Sequence, residues 1–151
     1  MITLGIDPGI GGGWATLYNG KLDQWGRMPK LKVRSKTLVD AAELFNQIPP
    51  GCYQGVVELV SGRPGQSGVF AFGHSTGSAT AVAMIRCTKM EWVSPQVWKK
   101  HFGLSKDKRA SLDAARMKFG PGPDWSVLAN DGIAEAALMA QWYLDTKTKT
   151  V

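Results

Sequence analysis

Four acidic residues, Asp7, Glu58, Asp131 and Glu135, have the types and spacing to do chemistry in this chain. Glu58 is the most demanding of them. It lies in Gly55-Val56-Val57-Glu58-Leu59-Val60, which is otherwise apolar on both faces, as in a central strand covered on both sides. A lone ionised carboxylate in a dry core costs on the order of several kcal/mol, so such an acid is protonated, paired or bound to a cation. Asp7 closes the run Ile2-Thr3-Leu4-Gly5-Ile6, and Gly9, Gly11, Gly12 and Gly13 remove side-chain bulk beside it, leaving room for a phosphate. Asp131 and Glu135 are four residues apart, which on a helix puts both on one face with Cβ atoms about 5–6 Å apart. The residues around them are rich in Ala, Leu and Met, so that face is expected to point inward. Simpler roles compete: a turn cap for Asp7, complementing a helix N-terminus for Asp131, a lysine partner for Glu135, and a buried ion pair for Glu58.

Carboxylates without a His/Cys cluster suit a hard divalent ion, magnesium with manganese as a substitute. Two such ions about 3.5–4 Å apart would activate a water and stabilise a leaving 3′ oxygen in phosphodiester hydrolysis. Cys52 and Cys87 stand singly without a CxxC, which gives no ligands for zinc and no disulfide framework; both are expected to be small core residues. Three distant segments must meet to form the acidic site, so a fold has to position them.

Ile2, Leu4 and Ile6 alternate as in a strand that ends at Asp7-Pro8-Gly9. Trp14 to Tyr18 and Leu22 to Trp25 flank Asn19-Gly20, the dipeptide of a type I′ turn. A basic connection from Arg27 to Lys36 follows. Leu38, Ala41, Ala42 and Phe45 then have helical spacing, with Ser35 or Thr37 as N-cap and Pro49-Pro50-Gly51 as the stop. After the Glu58 strand come a helix ending at Arg86, a short strand Met90 to Val93, a helix Gln96 to Phe102 opened by Ser94-Pro95, and a helix from Ser105 or Lys106 to Phe119. The last helix is expected over Asp131 to Leu144. This order predicts an α/β fold, a mixed five-stranded sheet flanked by helices.

With 151 residues, 44% of them hydrophobic, the chain suits one buried core, assigned here as a single domain over 1–145 with a flexible tail over 146–151. It has no apolar run of roughly 20 residues and no secretory leader, so an intracellular protein without a membrane partner is expected. The formal charge is +6. Between Ser94 and Gly120, seven basic residues (Lys99, Lys100, Lys106, Lys108, Arg109, Arg116, Lys118) face two acidic ones, a net +5. Such a cluster is either a solvated helix face or a polyanion contact.

Taken together, LGIDPG at Leu4 to Gly9, VVELVSGRPGQSGVFAFGHSTG at Val56 to Gly77, VSPQVWKKHFGL at Val93 to Leu104 and NDGIAEAALMAQW at Asn130 to Trp142 resemble the RuvC family of Holliday junction resolvases, especially its short phage-type members. The first motif alone is shared with actin-like kinases, which need a second, duplicated domain. The resemblance implies a ribonuclease H-like fold and a homodimeric, magnesium-dependent endodeoxyribonuclease of DNA recombination and repair. Such an enzyme nicks four-way junctions symmetrically with Asp7, Glu58, Asp131 and Glu135 as metal ligands, and would work in the cytoplasm, including that of a phage-infected host. A noncatalytic branched-DNA-binding protein on the same fold is the alternative. Lys108, Lys99, Lys100, Lys106 and Arg109 would then track phosphates. Bacterial members commonly space the last two acids three apart and carry an aromatic wedge where Ser61 stands. Arg63, Gln66, Phe70 or Phe72 would replace that wedge, with helix core the competing role for the two phenylalanines. His74 and His101 are assigned to loop or surface, and the six tryptophans to core or dimer contacts.

Overall fold

The computed structural model describes residues 1–51, 53–63 and 65–148. The chain opens with β1 (Ile2–Asp7), β2 (Gly13–Tyr18), β3 (Lys21–Arg27), β4 (Lys30–Val33), β5 (Lys36–Val39) and α1 (Ala41–Gln47). It continues through β6 (Tyr53–Glu58), α2 (Val69–Arg86), β7 (Cys87–Val93), α3 (Pro95–His101), α4 (Lys108–Phe119), a short 3-10 turn at Leu128–Asn130, and α5 (Asp131–Lys147). Five strands make one mixed sheet in the order β3-β2-β1-β6-β7. The meander β1-β2-β3 is antiparallel, and β6 and β7 add parallel to β1. Asn19 and Gly20 both adopt positive φ, 51° and 75°, as a type I′ turn requires.

Strand parity decides what each face carries. Leu4 and Ile6 of β1 and Val57 of β6 form one face, packed with Trp14, Leu44, Ile48, Ala79 and Val82 under α1 and α2. Val56 and Val93 belong to the other, packed with Trp98 of α3 and with Leu138, Met139, Trp142 and Tyr143 of α5. Ala15 meets Ala136 and Ala137 on that same side. Since side chains alternate along a strand, Asp7 and Glu58 share the α5 face. Ile6 pairs with Val57, so the two acids follow one step on, at the carboxyl ends of adjacent parallel strands.

Helix α5 lies unusually close to this face because glycines line its path. A Cβ on Gly5 would collide with the Ala136 carbonyl, and one on Gly132 with the Gly12 backbone. Gly12 and Gly132 are also bridged backbone to backbone. This close approach brings Asp131 and Glu135 down beside Asp7.

Several local expectations are corrected. The Arg27 to Lys36 connection contains a second, two-stranded sheet, β4-β5, and Leu38 belongs to β5 rather than to the first helix. That helix is capped by Asp40, whose side chain accepts from the Glu43 N–H, and not by Ser35 or Thr37. Asp107 caps α4 by accepting from the Arg109 N–H, so the helix starts at Lys108, later than Ser105 or Lys106. In each case a carboxylate acceptor next to the first turn satisfies an end donor that the more distant hydroxyl cannot reach. Helix α5 runs to Lys147, past the expected tail boundary; residues 149–151 lie outside the described residues, as does Cys52. Cys87 is half-buried against the core, and burial pushes its thiol pKa up to about 12, so it stays neutral. Among the described residues no helix is long and apolar enough to cross a membrane.

Candidate active site

The structure brings three of the four acids together. One carboxylate oxygen each from Asp7, Glu58 and Glu135 lie within 4.8 Å of one another. Asp131 stands one helical turn before Glu135, at the edge of this cluster, where its carboxylate takes the Lys108 ammonium at 3.5 Å. Its place is fixed by the turn before α5: the Arg27 guanidinium donates to the Asn130 side-chain carbonyl (2.8 Å), and the Asn130 amide donates to the Asp124 carbonyl (2.9 Å).

Crowding of like charge in a dry place sets the electrostatics. Burial holds the Asp7 carboxyl well above its ordinary pKa, and the neighbouring Glu135, Glu58 and Asp131 charges raise it further, against a hydrogen bond from the Gly9 N–H. Glu58, only 9% exposed, is likewise raised by burial. The Trp98 indole N–H opposes that rise by donating to Glu58 Oε2 at 2.8 Å. Glu135 accepts from the Ser111 hydroxyl (3.4 Å) and pairs with the Lys99 ammonium (3.4 Å). A cluster of oxygen donors that resists full ionisation by itself, yet is held by neighbouring donors in converging positions, fits a hard divalent cation. Asp7, Glu58 and Glu135 are the residues that would hold it.

Two basic grooves flank the site, one touching Asp131 and the other joined to Glu135 through its Lys99 ion pair. One, of about 460 Å³, is lined by Gly12, Arg27, Lys30, Lys108 and Asp131. The other, of about 710 Å³, is lined by Arg63, Gln96, Lys99, Lys100 and Lys106. The basic residues singled out in the sequence therefore divide: Lys108 goes to the first groove and Lys99, Lys100, Lys106 and Arg63 to the second. Arg109 lines neither; its guanidinium donates to the Ser126 carbonyl (2.9 Å). Gln66 is turned back on its own loop, accepting from the Arg63 N–H at 3.1 Å. Phe70 is 82% exposed in the first turn of α2, which removes it from the core; Phe72 is half-buried. His74 is exposed on α2. His101 meets Asp145 at 2.9 Å, and Asp145 lies ten residues, about 15 Å of helix, beyond Glu135.

Trp98 is the functional residue that the sequence did not reveal. Trp14, Trp98, Trp125 and Trp142 are all buried, as expected of core tryptophans, but only Trp98 touches a site acid; Trp25 and Trp92 are 38% and 43% exposed. The available signal was its position five residues after β7, on the face that must cover the Glu58 strand.

A mixed five-stranded sheet with helices on both faces and acids at the carboxyl ends of its central strands is a ribonuclease H-like fold. No protein-family model and no curated protein matches the chain. Solved structures do, among them two of RuvC. RuvC from Thermus thermophilus in complex with a Holliday junction substrate is 19% identical, covers 98% of this chain and 97% of its own, and superimposes with a TM-score of 0.59. The Thermus thermophilus RuvC structure is also 19% identical, covers 98% of each chain and gives 0.57. The chain has the fold of RuvC.

Proposed function

We propose that this chain is a structure-selective, magnesium-dependent endodeoxyribonuclease that nicks four-way junctions and related branched DNA as a homodimer. The observation that carries the reading is the convergence of the Asp7, Glu58 and Glu135 carboxylates, flanked by one basic groove that Asp131 and Lys108 line and by another that Lys99, the ion-pair partner of Glu135, lines. The grooves suit phosphate backbones, and one structural neighbour is RuvC with a Holliday junction substrate. A bound divalent cation would supply charge stabilisation at the phosphoryl group under attack. The chain's own residues supply the rest: Trp98 fixes Glu58, Lys99 and Lys108 offset the charge of the two α5 acids, and the groove cations hold the strand in place. Manganese would substitute for magnesium, and the site would take up to two ions. The work belongs to DNA recombination and repair in the cytoplasm. The DGIAE arrangement at Asp131 to Glu135 supports a phage-type member.

The test is a nicking assay on labelled four-way junction, fork, flap and linear duplex, with and without magnesium or manganese. Paired nicks in the junction that need the divalent ion are expected, and Asp7→Asn or Glu58→Gln should abolish them while junction binding persists. Cleavage that survives in those variants would overturn the reading. One observation favours a noncatalytic branched-DNA-binding protein: Lys99 and Lys108 each pair with a site acid, which leaves half of the acid set neutralised by protein. Junction binding without nicking across both metal titrations would decide for it.

A further inference from the structure

Residues Arg27 to Lys36 hold five basic side chains (Arg27, Lys30, Lys32, Arg34, Lys36) and no acidic one, as large a net charge as the whole Ser94 to Gly120 segment in little over a third of the length. In the fold they form the β4-β5 hairpin and its root. We propose that this hairpin is a contact arm for duplex DNA, gripping phosphates of the substrate arm that leaves the site on the Asp131 side. The inference rests on the nuclease reading above, since it names a further surface for the same substrate.

The hairpin is rigidly rooted at the acids. The Met28 N–H donates to the Gly12 carbonyl (3.0 Å), in the glycine loop that follows Asp7, and the Asp40 N–H donates to the Pro29 carbonyl (2.9 Å). Met28 and Val39 at the base are buried in the main core, 2% and 4% exposed. From that base the four-residue strands reach about 13 Å at roughly 3.4 Å per residue. Lys30 and Lys32 lie on one face by strand parity, and both are exposed. Lys30 and Arg27 line the 460 Å³ groove with Lys108 and Asp131, so the arm continues the basic path out of the site.

The charges are also available. Lys99 and Lys108 are held by Glu135 and Asp131, whereas Lys30, Lys32, Arg34 and Lys36 form no ion pair among the described residues. Lysines on a short exposed hairpin also keep sheet edges from pairing with other chains. That role would be met by either sign of charge, and it does not call for cations continuous with a groove at the acids.

The experiment compares the salt dependence of binding to a four-way junction and a linear duplex, in EDTA, for wild type, Lys30→Ala/Lys32→Ala, Lys30→Arg/Lys32→Arg, and a control, Lys21→Ala/Lys89→Ala, that removes equal charge elsewhere. Circular dichroism melts check that each variant is folded. The Ala pair should make the slope of log K against log salt shallower by about two, at roughly 0.9 per lost phosphate contact, while the Arg pair and the control keep the wild-type slope. A wild-type slope in the Ala pair, or an equal drop in the control, overturns the hairpin inference alone. Wild-type protein that neither prefers junctions in EDTA nor nicks them once magnesium or manganese is added overturns the nuclease reading, and the slopes on duplex then still decide the hairpin.

Discussion

Glu58 is held in place by one indole. Trp98 is fully buried and its N–H meets Glu58 Oε2 at 2.8 Å, so replacing it with phenylalanine keeps most of the ring volume and removes the donor. Partners that orient metal ligands are commonly worth 10–100-fold in metal affinity. Trp98→Phe should therefore weaken manganese binding by about that factor in calorimetry, at a stability cost of about 1.5–3 kcal/mol for a lost hydrogen bond to a charged acceptor. Unaltered manganese affinity would reduce Trp98 to a packing residue. The acids make a second prediction. Asp7 and Glu58 both titrate higher in the folded chain than their ordinary values of 3.8 and 4.5, chiefly because burial disfavours their charged forms. Above those ordinary values and up to the raised ones the folded state holds more protons than the unfolded state, so without divalent ions stability falls as pH rises through that window. Asp7→Asn removes the most strongly shifted group and should raise the metal-free melting temperature at neutral pH, by about 2–4 °C for each kcal/mol relieved. Magnesium or manganese should stabilise the wild type more at neutral than at acidic pH, because the ion competes with protons for the same oxygens, and should no longer stabilise the variant. Scanning calorimetry across pH measures both; a metal-free melting temperature that rises through this window would contradict the burial account.

At the level of elements, the site depends on how closely α5 approaches β1 and β2. Gly5 leaves no room for a methyl group against the Ala136 carbonyl, so Gly5→Ala must push α5 outward and carry Glu135 away from Asp7 and Glu58. Overpacking of this kind costs about 1–3 kcal/mol, and the loss of divalent stabilisation should exceed the loss of fold. Gly9→Ala, with open space at its Cβ, is the matched control and should leave the melting temperature nearly unchanged. The same elements explain what the sequence disclosed. Alternation of Ile2, Leu4 and Ile6 and the all-apolar surroundings of Glu58 are tertiary demands written locally, so both strands and the acid each carries could be read directly, whereas the face that Asp7 and Glu58 share follows from the Ile6 to Val57 pairing of distant segments. The β4-β5 hairpin could not, because Leu31, Val33 and Leu38 are too few to show a period and Leu38 happens to fall at helical spacing from Ala41, Ala42 and Phe45. Contacts such as Arg27 to Asn130, 103 residues apart, and Trp98 to Glu58, 40 apart, leave no local pattern at all. The convergence of three acids without Asp131 belongs to this second kind.

At the scale of the whole molecule, symmetric nicking of a junction needs two sites related by a two-fold axis, and α2 offers the surface for one. Its inner stripe, Ser75, Ala79, Val82 and Ala83, is buried. On the opposite side Phe70, His74, Gly77, Ala81 and Met84 are all exposed and recur at intervals of four and three, the spacing of a helix seam. Phe70 and Met84 are 82% and 58% exposed at its ends, Ile85 beside it is 72% exposed, and Gly77 stands near the middle of the 18-residue helix with open space where a Cβ would be. Large residues at the ends and small ones at the centre let two copies of α2 cross closely, and a two-fold axis through the Gly77 region would place each Phe70 against the partner's far end. Wild-type protein is expected to be a dimer by light scattering at micromolar concentration. Ala81→Arg, which adds a bulky charge at the crossing and leaves the buried stripe intact, should give a folded monomer with an unchanged circular dichroism spectrum. On a junction tethered in a supercoiled circle, where paired nicks linearise and single nicks only relax, the dimer should yield linear product and the Ala81→Arg monomer relaxed circles. A wild type that stays monomeric both free and on the junction would remove α2 as the seam and with it the structural basis for symmetric cutting. A dimer insensitive to Ala81→Arg would move the axis to another face.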